Sequence, residues 1–165
     1  MIRMERKRLI ILIFAFLVFL TAAFIFSNSL KNSEESRQDS DVITEVVEDT
    51  AEKIYPENTV DWNFVVRKSA HLTEFFILGI FMILLFFQSK GKYRVLYAFL
   101  CVSVIACTDE FIQRFTERGS CFTDVLIDIS GASLGIGLVL LMNLLRKRMW
   151  NGQGKVERSQ NVKGR

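Results

Sequence analysis

Proline and histidine each occur once in the 165 residues, cysteine three times and glycine nine times. So little proline and glycine excludes a Pro/Gly-rich linker or a low-complexity tail, and no internal repeat is evident. Cys101 and Cys107 lie in an apolar run and only Cys121 sits in a short polar loop, so no disulfide framework is expected and all three read as free thiols. There is no CxxC and no Cys/His spacing of the zinc type. The sequence therefore assigns no metal ligands and no cofactor.

Half of the residues are apolar and the mean hydropathy is positive, yet 24% are charged. Charge must then be segregated from apolar sequence. Four apolar runs alternate with polar segments, at about 9–26, 70–87, 95–112 and 125–145. Runs of about 18 or more residues with few charges read as transmembrane helices. The expected fold is all-α, an integral membrane four-helix bundle over 9–145 with a basic N-terminus at 1–8, an outer loop at 27–69 and a basic tail at 146–165.

The loop charges set the orientation. Arg3, Arg6, Lys7 and Arg8 precede the first run, which is longer than a signal-peptide core of about 7 to 15 residues and lacks a small-x-small cleavage site. It reads as an uncleaved helix with its N-terminus in the cytoplasm. From Lys31 to Asp61, Glu34, Glu35, Asp39, Asp41, Glu45, Glu48, Asp49, Glu52, Glu57 and Asp61 stand against Lys31, Arg37 and Lys53, which suits the outer side. Within that loop Val42, Ile43, Val46, Val47, Ala51 and Ile54 recur at helical spacing, predicting a short amphipathic helix from Asp41 to Tyr55, ended by Pro56. Its apolar face is expected on the bilayer surface or over the outer ends of the bundle. Lys90, Lys92 and Arg94 mark a cytoplasmic hairpin, and the basic tail is expected to lie loosely ordered near anionic headgroups. Both termini are then cytoplasmic.

The stretch RKSAHLTEFFILG, Arg67 to Gly79, sets titratable groups at the mouth of the second run. Arg67, His71, Glu74 and Leu78 fall at steps of four, three and four, so a helix stacks them on one face with Lys68 beside them. The third run ends in Asp109, Glu110, Gln113 and Arg114, followed by Arg118; the fourth opens with Asp124 and Asp128, one turn apart. By the topology all these groups meet on the outer side. A charge facing lipid at mid-bilayer costs about 2.5 to 3.5 kcal/mol, so the set must face inward and pair, or open to water. Arg118 is the expected partner of Glu110. Gly131 and Gly135 follow the small-xxx-small pattern of closely packed membrane helices.

Such a layer has several chemical readings. The arginines can hold an anionic headgroup or carboxylate in forked hydrogen bonds. His71, Glu74 and Glu110 can act as general acid and base among crowded carboxyls. His71, Glu74, Asp109 or Glu110, and Asp124 are ligand types that allow a divalent metal, without diagnostic spacing. Or the groups form a purely structural polar network. Binding is the leading reading, with Arg67, Lys68, His71, Glu74, Asp109, Glu110, Gln113, Arg114, Arg118, Asp124 and Asp128 as its residues. A pocket roofed by the amphipathic helix and walled by Phe75, Phe76 and Phe122 is expected to accept a polar head with an acyl tail.

RKSAHLTEFFILG, DEFIQRFTERGSCFTD and DVLIDISGASLG, in this order, resemble the VanZ-like family of bacterial membrane proteins. The resemblance spans Phe26 to about Leu144 and matches Lys68, His71, Glu74, Glu110, Gln113, Arg118, Asp124 and Gly131; Asp128 stands where that family tends to place asparagine. It implies a cell-envelope role linked to teicoplanin-type glycopeptide resistance, without supplying a reaction. The implied partners are membrane lipids and a lipoglycopeptide or lipid-linked envelope ligand, and not nucleic acid. The alternative function is an intramembrane enzyme acting on an envelope lipid or lipid-linked substrate.

Overall fold

The computed structural model describes residues 2–31, 33–54, 60–116 and 122–163. Five helices follow in order, α1 (Ile2–Ser29), α2 (Ser33–Ile54), α3 (Trp62–Phe87), α4 (Arg94–Gln113) and α5 (Phe122–Lys163), and no strand occurs among the described residues. α1, α3, α4 and α5 are long and apolar enough to cross a bilayer. The all-α four-helix membrane architecture is thus observed.

The helices outrun the apolar segments that announce them. α3 starts eight residues before the expected Ala70, because Asp61 caps it: the Asp61 carboxylate accepts a hydrogen bond from Phe64 N at 3.0 Å. Arg67 and Lys68 consequently lie in its second turn, with helical backbone on both sides. α1 runs past Phe26 to Ser29, which carries two polar residues, Asn28 and Ser29, into the bundle. α5 continues through the basic segment to Lys163, so the expectation of a loosely ordered tail is corrected. At about 1.5 Å per residue, its 42 residues outreach a hydrocarbon core of about 30 Å roughly twofold. Apolar run length reports what lipid covers; caps and helix-forming residues decide where the backbone stops coiling.

α3 is the hub, touching all four other helices, and its seam with α5 is the most extensive. Three glycines make that seam. A Cβ on Gly79 would run into the backbone carbonyl of Ala132, one on Gly131 into that of Leu72, and one on Gly135 into that of Phe76. The Gly131 and Gly135 spacing therefore marks a backbone-to-backbone contact, with Gly79 its counterpart on α3. Around it the buried core comprises Ile25, Phe75, Leu78, Met82, Ile83, Ala98, Val102, Ala106, Val125, Ala132 and Ile136. α1 is held chiefly by its C-terminal end. Ile25 and Ser29 are fully buried, whereas Leu9, Leu12, Phe16, Phe19 and Phe24 are exposed on the helix surface, as lipid-facing residues are.

The helix in the 27–69 loop also differs from expectation. α2 begins at Ser33, not Asp41, with Glu34 and Glu35 in its first turn, where negative charge complements the helix dipole. Its buried stripe is polar: Ser36, Ser40 and Thr44, four apart, are buried, while Ile43 and Val46 are exposed. Small hydroxyl residues permit close approach to α3, and the contact is tied by Asn63, whose Nδ2 donates to Asp41 at 3.0 Å while its Oδ1 accepts from Ser40 at 3.3 Å. Tyr55 and Pro56 lie outside the described residues.

Candidate functional site

Because consecutive spanning helices run antiparallel, the C-terminal ends of α1 and α4 meet the N-terminal parts of α3 and α5 at one end of the bundle. Each helix delivers its polar groups there on the face that is buried further along. On α4 the stripe Ala98, Val102, Ala106 continues as Asp109 and Gln113, all buried. Asp109 is fully buried, and Asp128 on α5 is 2% exposed.

Around Asp109 a tight network closes. Ser29 Oγ donates to Asp109 Oδ1 at 2.5 Å, and Gln113 Nε2 donates to Asp109 Oδ2 at 2.7 Å and to Ser29 Oγ at 3.2 Å. Thr116 Oγ1 donates to the Ser29 carbonyl at 3.2 Å, so α4 and the turn that follows it hold both the side chain and the backbone of Ser29. Across the bundle Lys68 forms an ion pair with Asp124, both side chains mostly buried, which latches α3 to α5. Asn28 Nδ2 donates to Glu74 Oε1 at 3.0 Å and latches α1 to α3. His71 Nδ1 lies 3.9 Å from Glu74 Oε2, beyond hydrogen-bond reach. One ligand-type atom from each of His71, Asp109 and Asp128 lies within 4.8 Å of the others, so three helices converge on one point.

Two cavities adjoin this network. The larger, about 150 Å³, lies between α1, α2 and α3 and is lined by Asn28 and Lys31, by Ser36, Ser40 and Ile43, and by Val66, Arg67, Ala70, His71 and Glu74. Arg67 Nε is buried at this site and has no hydrogen-bond partner among the described residues. The smaller, about 10 Å³, is lined by Lys68, His71, Gln113, Asp124, Ile127 and Asp128. His71 lines both and separates an open-ended pocket from a water-sized hole.

The sequence-predicted residues thus divide. Lys68, His71, Glu74, Asp109, Gln113, Asp124 and Asp128 come together, with Glu110 buried beside them and Arg67 on the larger cavity. Arg114 is exposed at the C-cap of α4. Arg118, Cys121 and the Phe122 side chain lie outside the described residues. The expected aromatic walls are corrected: Phe75 is fully buried in the core, and neither Phe75 nor Phe76 lines the larger cavity. Ile43, Val66 and Ala70 supply the apolar lining instead. Asn28, Ser29, Ser36 and Ser40 escaped the sequence reading. Their signal was the break in apolarity after Phe26 and the Ser36, Ser40, Thr44 spacing of four.

A family model described as VanZ/LLP1 matches residues 10–143. No curated protein and no solved structure matches the chain.

Proposed function

The chain belongs to the VanZ/LLP1 family, and from that premise we propose that it is a multi-pass protein of the bacterial cell membrane whose pocket takes the polar head of an amphiphilic envelope ligand. On this reading it contributes to tolerance of teicoplanin-type glycopeptides. The observation that carries the proposal is Arg67. Its buried Nε lacks a hydrogen-bond partner among the described residues, and it lines a cavity of about 150 Å³ beside Lys31. Leaving a buried donor unmade costs about 1–3 kcal/mol, more for a charged group. A guanidinium with its Nε left unmatched in this way suits a phosphate or carboxylate, which arginine binds in a forked geometry.

The rest of the lining supports an amphiphile. Ile43, Val66 and Ala70 give the cavity an apolar side, and the exposed apolar flank of α1 offers an acyl chain a lipid-like path. The positive-inside rule supports an outward-facing pocket, since Arg6, Lys7, Arg8, Lys90, Lys92 and Arg94 lie at the opposite end of the spans.

Expression in a sensitive Gram-positive host tests the reading. Tolerance should rise more for teicoplanin, which carries an acyl tail, than for vancomycin, which does not, and Arg67→Gln or Glu74→Gln should remove the difference while the protein still inserts. Equal protection against both drugs, or full activity in both variants, would overturn it.

A further inference from the structure

Neither Asp109 nor Asp128 lines the ligand cavity, yet both are buried at the end of a membrane bundle. Two carboxylates in such a place repel each other, and burying them as ions is costly unless positive charge lies between them. The geometry points to what supplies it. We propose that His71, Asp109 and Asp128 form a three-ligand site for a divalent transition-metal cation, Zn²⁺ or Mn²⁺.

Three observations carry the assignment. The ligand atoms, one per residue, already lie within 4.8 Å of one another. In a tetrahedral site with bonds of about 2.1 Å, ligands stand roughly 3.4 Å apart, so torsions of three side chains on three helices close the gap. A hole of about 10 Å³ adjoins His71 and Asp128, with Gln113, Ile127 and the mutually paired Lys68 and Asp124 completing its lining, and it is large enough for one water or ion. Asp109 has the supporting shell that metal-bound carboxylates show, with one oxygen accepting from Ser29 and the other from Gln113.

Charge and donor type fix the class of cation. One neutral imidazole, two carboxylates and a dication sum to zero, the state that is cheapest to bury in an apolar bundle. Nitrogen beside oxygen favours Zn²⁺ or Mn²⁺ over Mg²⁺ or Ca²⁺, which prefer all-oxygen shells. Three protein ligands leave a coordination position open, as in sites that meet a ligand or water. His71 also lines the larger cavity, so the cation would stand at the inner wall of the pocket. The site does not depend on the ligand reading, because metal binding is measured without any amphiphile.

The test uses the full chain in lipid nanodiscs, stripped with EDTA and equilibrated with Zn²⁺ or Mn²⁺. Metal analysis of the washed protein should find one cation per chain, and its return should raise the melting temperature. His71→Gln and Asp128→Asn should each weaken retention by about tenfold or more, as loss of a ligand exceeds loss of a supporting partner. Gly137→Ala, which adds a methyl group where nothing lies within 4 Å, should retain the cation. If Asp128→Asn fails to fold, His71→Gln and the EDTA response of the wild type decide. A wild-type protein that holds no cation and melts alike with and without EDTA would overturn the proposal, as would full retention in both ligand variants.

Discussion

Replacing Gly131 with alanine adds one methyl group at the point where α5 touches α3, and its effect follows from what that methyl meets. The Leu72 carbonyl oxygen would sit roughly 1 Å inside the ordinary C–H···O separation of about 3.3–3.6 Å. No rotamer relieves this, since the opposing atom belongs to the backbone, so the helices must part. Overpacking of this kind costs about 1–3 kcal/mol. The higher helix propensity of alanine returns up to about 1 kcal/mol, leaving a net destabilisation of about 1–2 kcal/mol. Gly137 provides the internal control: nothing lies within 4 Å of a Cβ there, so only the propensity gain operates and the sign reverses. Equilibrium unfolding in mixed micelles, followed by circular dichroism, measures both variants. Equal effects at Gly131 and Gly137 would refute the close seam between α3 and α5. The same substitution also moves the site, because Leu72 adjoins His71 and Asp128 lies one turn before Gly131; Gly131→Ala should therefore impair function beyond its loss of stability.

The Lys68 and Asp124 pair should show coupling. Lys68→Ala and Asp124→Ala each strand a mostly buried charge, and the double variant should cost less than the sum by about 1–3 kcal/mol; strict additivity in micelle unfolding would remove the latch. Topology is tested with thiols in intact cells. A membrane-impermeant reagent should reach a cysteine placed at Ser33 but not one placed at Lys92, and labelling at Lys92 would reverse the orientation.

Several features were readable from the chain alone because they are local. Apolar run length and loop charge foretold four spanning helices, and a period of 3.6 put His71 and Glu74 on one face of α3 and Asp124 and Asp128 on one face of α5. The spacing of Gly131 and Gly135 announced a close helix contact, although not that Gly79 answers it. Apolarity alone ends α1 before Asn28 and Ser29, opens α3 eight residues late, and is silent on the buried stripe of Ser36, Ser40 and Thr44 on α2.

The tertiary structure alone decided which polar groups meet. His71, Asp109 and Asp128 come from three helices and have no characteristic spacing in the chain, so a search for metal-ligand spacing passes over them. Ser29 and Gln113, separated by 84 residues, share a hydrogen bond for the same reason. Periodicity fixes the face a residue occupies on its own helix. The rotation and depth of that helix against its neighbours are fixed by pairwise packing, here by three glycines that let α3 and α5 approach to backbone contact. That approach selects Phe75 for the core, turns Arg67 to the cavity and brings Asp128 to His71.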